Sequence, residues 1–320
     1  MFVSKHIRSY VIAVGFMSAC AAHAAYPDRP ITAIVPFPPG GSVDPIARLV
    51  VEQMRADLGA EVIILNKPGA GGTLGTADVA RAKPDGYTIG FTTVGPLTSQ
   101  PHLRPTLRYN EDSFEYICRT HVTPQVFVVK KDSPYKSLKD FVAAAKKNPG
   151  KLTIASTGVG SIPHLAAIAF ADSAGFKWQH IPTKGDGDAS VLAASGQITA
   201  WVAGIQSFGP LESRLRALGI LEAKRSPLLP DVPTFKEQGY DVESAGWGGM
   251  IAPKGTPAAI IERLTQSCDK ATHTAKFEQI LKTMRIPQGY LDARKFKASV
   301  QRESSLYKKI IKEEGITLDQ

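Results

Sequence analysis

Two stretches decide the fold: Ile31–Val50, ITAIVPFPPGGSVDPIARLV, and Leu152–Phe170, LTIASTGVGSIPHLAAIAF. Each reads as a short buried strand, a glycine-rich loop and a helix. In the first, Ile46, Val50, Met54 and Leu58 recur every four residues, as on one face of a helix. Gly40 and Gly41 permit left-handed backbone and close approach of another group. Asp44 followed by Pro45 predicts a helix start, with Asp44 as N-cap. Helix starts carry unsatisfied N–H groups and partial positive charge, so a pair of such turns facing a cleft suits an anion.

Outward from these units, strand-like runs alternate with helical ones. Strands are expected at Ile31–Phe37, Val62–Asn66, Tyr87–Thr93, Tyr116–Lys130, Leu152–Ser156, Trp178–Pro182, Thr199–Ala203, Leu215–Ile220 and Ser244–Pro253. Helices are expected at Asp44–Leu58, Thr73–Ala82, Leu138–Asn148, Pro163–Ala174, Gly187–Ala194, Pro257–Thr274, Ala275–Met284 and Asp292–Glu314. The alternation predicts an α/β protein with two mainly parallel sheets. Tyr116–Lys130 and Ser244–Pro253 are long enough to pass from one sheet to another. They divide the chain into lobe one at 26–121 plus 245–320 and lobe two at 122–244, with a ligand cleft between.

The 320 residues are 43% hydrophobic and 21% charged, with a formal charge of +9. That is a globular composition. Lys5, His6 and Arg8, the apolar run Tyr10–Ala22 and Ala22-His23-Ala24 read as a cleavable signal peptide over residues 1–24. A rival reading takes Met17-Ser18-Ala19-Cys20 as a lipoprotein box with Cys20 lipidated. Loss of Lys5 and Arg8 leaves +7, spread along the chain with no basic tract interleaved with aromatics, so nucleic-acid binding has no support. In an exported chain, Cys118 and Cys268 either pair or stand as two buried thiols.

Candidate ligand residues follow from the two loops. The first offers Phe37, Pro39, Gly40, Gly41, Ser42 and Asp44, with Asp44 equally readable as a cap. The second offers Ser156, Thr157, Gly158, Val159, Gly160, Ser161 and His164, where His164 is either a cleft or a packed residue. An aspartate at Gly160 would then place negative charge in the cradle. Pro68–Gly75 and the second loop miss the dinucleotide pattern, with Leu74 and Pro163 at the third glycine positions, and neither is followed by the Lys-Ser/Thr of a P-loop. Ser133/Lys136 and Ser305/Lys308 match S-x-x-K, but in a polar turn and a charged helix. No cysteine sits at metal-ligand spacing, no catalytic residue stands out, and no cofactor is expected.

The stretches VPFPPGGSVDPIARLV, NKPGAGGTLGTADVARAKPDGYTI, GPLTSQPHL, STGVGSIPHLA, KRSPLLPDVPTFKEQGY and APKGTP together resemble the Bug family. These are periplasmic substrate-binding proteins of tripartite tricarboxylate transporters. The resemblance runs from Tyr26 to the C-terminus and implies a monomeric, hinge-closing, two-lobed protein. Such a protein delivers a small organic carboxylate to membrane permease subunits. By position it implicates the two loops, the Thr183-Lys184 turn, Ala203 and Trp247. Thr183 replaces the family's usual Tyr, and Val202-Ala203-Gly204 lacks the usual polar strand end. That loss argues against an ammonium contact there, and so against an amino-acid ligand. A sensor presenting its closed form to a membrane kinase would use the same site, whereas a hydrolase would need a nucleophile–base pair the sequence does not offer.

Overall fold

The computed structural model describes residues 26–40 and 43–318. Residues 1–24, expected as the signal peptide, with Cys20, Gly41 and Ser42, lie outside the described residues. In the first part, β1 (Ile31–Val35), β2 (Val62–Asn66) and β3 (Thr88–Thr93) alternate with helices α1 (Asp44–Leu58) and α2 (Thr73–Arg81). Short helices α3 (Val94–Thr98) and α4 (Gln100–Leu103) lead to β4 (Phe114–Lys130). The middle of the chain holds α5 (Leu138–Lys147), β5 (Thr153–Ser156), α6 (Ile162–Ala174), β6 (Gln179–Pro182) and α7 (Asp186–Ser195). It continues with β7 (Ala200–Gly204), α8 (Ile205–Phe208) and β8 (Leu215–Ile220). β9 (Ala245–Pro253), α9 (Ala258–Thr272), α10 (Ala275–Thr283), β10 (Gln288–Asp292) and α11 (Ala293–Glu313) complete it.

The strands form one path, β2-β1-β3-β9-β4-β7-β5-β6, with β8 and β10 also paired to β4. β4 is the shared member. From Phe114 to Pro124 it pairs with β9; from Gln125 to Val128 it pairs with β7. The two-lobed α/β class stands, but the sheet is mixed rather than mainly parallel. β1 pairs in parallel with β2 and β3, and β5 with β6 and β7. Every neighbour of β4, and the β3–β9 pair, is antiparallel. The reason is that β4 and β9 are returning crossovers, which meet the parallel strands head to tail.

Apolar periodicity explains most elements. α1 buries Ile46, Val50, Met54 and Leu58 against Val35, Phe91 and Leu264. The Cys118–Cys268 bridge lies in the same cluster, with Cα atoms 6.5 Å apart. On the other side, Phe127, Phe141, Phe170 and Phe235 pack edge to face. α6 is apolar on nearly all faces because it serves both sides. Phe170 joins that aromatic core, while Leu165 and Ile168 pack with Leu103, Tyr307 and Ile311. β10 was not foreseen: its residues are only partly buried, so they leave no apolar run to read.

Candidate functional site

Between the two parts of the sheet lies a cavity of about 230 Å³. Helix starts converge on it. Val43 caps α1, Thr93 caps α3, Thr157 and Pro163 stand before and in the first turn of α6, Asp186 opens α7, and Gly204 caps α8. β4 contributes His121, Thr123 and Gln125, and β9 contributes Gly246 and Trp247. Met284 and Ile286 close one side.

The first loop is held by one carboxylate. Asp44 is buried, and Oδ2 accepts from Gly40 N at 3.0 Å and Arg48 Nε at 2.7 Å, while Oδ1 accepts from Asn66 Nδ2 at 2.8 Å. Burial works against its charge, but these three donors outweigh it and hold the carboxyl below its ordinary range. Asp44 is the first helical residue rather than the N-cap, which is Val43. Its oxygens face the loop and Asn66, which is why they are not on the α1 amides. Gly40, at φ +76°, and Pro39 are exposed, and Gly40's amide is engaged by Asp44. Phe37 is half-buried, and its carbonyl accepts from Asn66 Nδ2 at 3.0 Å.

The second loop is more self-contained than the sequence implied. Ser161 is the N-cap of α6, and its hydroxyl donates to Gly158 O at 2.7 Å. Ser156 Oγ lies 2.7 Å from His180 Nε2 and accepts from Gly158 N at 3.3 Å. Gly160 N donates to His164 Nδ1 at 3.1 Å. His164 is therefore a packed residue. It is buried and stacked on His180 at 3.7 Å between ring centres. Burial, then His180, pushes His164 down to about 3, and burial pushes His180 down to about 4, so both rings are neutral. Thr157 alone of this loop lines the cavity. Val159 is exposed.

Thr183 Oγ1 lies 2.9 Å from both Ser156 O and Gly185 O, joining the two turns; Lys184 is exposed. Ala203 is buried in β7 opposite Val126. Trp247 lines the cavity and is also a core packer, its Nε1 donating to Glu303 Oε2 at 2.8 Å. Sequence reading missed Thr93, His121, Gln125, Asp186 and Gln206. His121 is pushed down to about 4 by burial, with Arg119 adding to it. Of the S-x-x-K pairs, Lys136 Nζ donates to Ser133 O, while Ser305 and Lys308 lie exposed on α11. Among the described residues no three His, Cys, Asp or Glu side chains are grouped to hold a metal ion.

Two sheet regions sharing crossover strands, with helix starts gathered on the cavity between, define a two-lobed solute-binding protein. The chain belongs to the TctC family, described as tripartite tricarboxylate transporter family receptors, whose model matches residues 46–316. It is 37% identical over 269 residues to a UPF0065 protein from the tcbD-tcbE intergenic region of Pseudomonas sp. (strain P51), covering 82% of this chain and 79% of that one. A ligand-free TctC solute-binding protein from Polaromonas superposes with a TM-score of 0.83 at 31% identity, over 90% of this chain and 99% of that one. MatC from Rhodopseudomonas palustris with bound malate does so with 0.72 at 29%, over 89% and 100%.

Proposed function

We propose that this chain captures a small organic carboxylate in the periplasm and delivers it to the permease of a tripartite tricarboxylate transporter. The observation that carries the reading is the convergence of the starts of α1, α6 and α7 on one cavity. Their partial positive charges sum at an anion placed there. The carboxylate sits toward Val43, with Thr93 and Thr157 within the same wall. Gly41 and Ser42 of the first loop remain candidates by family position. Each charge-assisted hydrogen bond contributes about 1.5–3 kcal/mol. Three or four, less the cost of ordering, reach the roughly 8 kcal/mol of micromolar affinity.

Residues 1–24 act as the export signal. The lobes divide at 26–121 plus 245–320 and 122–244, a division supported by the change of β4 partner between Pro124 and Gln125. A ligand touching both lobes favours the closed form, because only differential contact shifts that equilibrium. The protein acts as a monomer and binds its ligand without turning it over. A thermal-shift screen of the mature protein against mono-, di- and tricarboxylates tests this. A midpoint that rises with the concentration of at least one acid is expected; no response to any acid refutes the reading.

A further inference from the structure

Among the described residues, one ion pair joins the two lobes: Arg285 Nη1 lies 2.8 Å from Glu212 Oε1. Every other pair stays within a lobe. Arg285 stands between α10 and β10, and its neighbours Met284 and Ile286 both line the ligand cavity. Glu212 follows the turn Gly209–Leu211, just after α8, whose Gln206 lines the same cavity. The pair thus bridges the rim of the cleft.

Two backbone positions mark this contact. Arg285, at φ +54°, is left-handed. Its N–H donates to Lys282 O at 3.1 Å, and Ile286 N donates to Leu281 O at 2.9 Å, a helix stop that ordinarily takes glycine. An arginine strains the backbone there, and such strain collects at ligand clamps and switch segments. Gly209 carries the opposite mark. Its φ of −49° is ordinary helical backbone, so its conformation does not call for glycine. The space does: an added Cβ would stand 2.3 Å from Arg285 Nη1, 3.0 Å from Cδ and 3.2 Å from Cζ. The guanidinium lies against bare backbone of lobe two.

We propose that Arg285, Glu212 and Gly209 form a closing latch: when the lobes meet, the guanidinium docks on Gly209, pairs with Glu212 and slows release of the bound carboxylate. A contact that spans the lobes contributes only to conformations that hold them together, and such differential contact is what shifts the open–closed equilibrium. The two side chains are 52% and 45% exposed, so solvent screening limits the pair to about two- to fivefold in affinity. A latch of that strength delays the ligand without trapping it. The inference rests on the carboxylate-capture reading and the lobe division above.

Calorimetry on the mature protein with succinate, malate, adipate and citrate tests it. For an acid that binds the wild type, Arg285→Gly, Glu212→Gln and Gly209→Ala should each weaken affinity by about two- to fivefold. Arg285→Gly combined with Glu212→Gln should be no weaker than either alone, since the same contact is lost once. Arg285→Glu combined with Glu212→Arg should return affinity to within about twofold of wild type, which neither reversal achieves alone. The loss should fall on the release rate, followed by stopped-flow tryptophan fluorescence, Trp247 lining the cavity. Melting of the ligand-free protein separates a latch from a structural contact: Arg285→Gly relieves the strained backbone and should not lower the midpoint. Unchanged affinity in Arg285→Gly and Glu212→Gln, losses that add in the double variant, or a lowered ligand-free midpoint overturns the latch and leaves carboxylate capture intact. Failure of every acid to bind the wild type removes the capture reading and the latch with it.

Discussion

Gly160 offers a test of how the second loop is held. Its φ of +69° lies in the left-handed region, and a Cβ there would stand 2.3 Å from Leu103 Cδ1, 3.2 Å from Cδ2 and 3.3 Å from Cγ. Leu103 is buried in the cluster shared with α6 and α11, so the whole side chain must move, not one methyl. Gly160→Ala then costs about 1–2 kcal/mol for the backbone conformation and about 1–3 kcal/mol for overpacking. The expected loss is about 2–5 kcal/mol, read by urea denaturation. Leu103→Ala alone costs about 2–5 kcal/mol for the cavity it leaves. In the double variant the clash is gone and only the backbone cost adds, so the pair should be better than additive by about 1–3 kcal/mol. Additivity within about 0.5 kcal/mol would refute the packing account. It follows that Gly160→Asp reads this contact before it reads any charge in the cradle.

Three further outcomes are expected. Replacing Cys118 and Cys268 by Ala frees a loop with a sequence separation of 150, which loop-closure entropy puts at about 5 kcal/mol. A loss below about 1 kcal/mol in urea unfolding contradicts a formed bridge. Asp44→Asn should cost about 1–3 kcal/mol at neutral pH. Asp44's carboxyl is held below its ordinary 3.8, so its contribution is present above that value and disappears as pH falls through the folded one. The gap between wild type and variant, followed by thermal melts, should close in acid; a gap constant with pH contradicts the charged clamp. His164 and His180 are pushed from 6.5 to about 3 and about 4, so the unfolded chain binds more protons in this range. Stability should therefore be complete above pH 6.5 and fall toward pH 4. In His180→Gln that fall should be shallower; an equally steep one would place the acid sensitivity elsewhere.

Much of the fold was legible because burial left periodic marks. Nine strands and eight longer helices follow from apolar runs and i+4 spacing, as in Ile46, Val50, Met54 and Leu58. The short helices α3, α4 and α8 span too few residues to show a period. Strand direction was not legible, because it depends on which strands the crossovers meet. At the site, the glycine loops announced themselves, yet most of their polar atoms bond within the loops, which only coordinates reveal. Asp186 was hidden by its place just after Gly185, where an acidic residue reads as ordinary helix-start chemistry. Gln125 did leave a signal: it is a lone amide in the run Val122–Val129, otherwise filled by buried apolar side chains from Val126 onward. A polar side chain in such a strand needs partners, and locally it finds only Thr123 O, 3.5 Å from its Nε2.

β4 is a single strand that both halves of the molecule use as their edge-to-edge seam. His121, Thr123 and Gln125 project from the seam itself into the cavity wall. Their placement is thus anchored to each half by the same ladder, and they form a common datum against which the loops on either side are positioned. Substitutions at these three places would shift both jaws of the cleft together through the shared ladder.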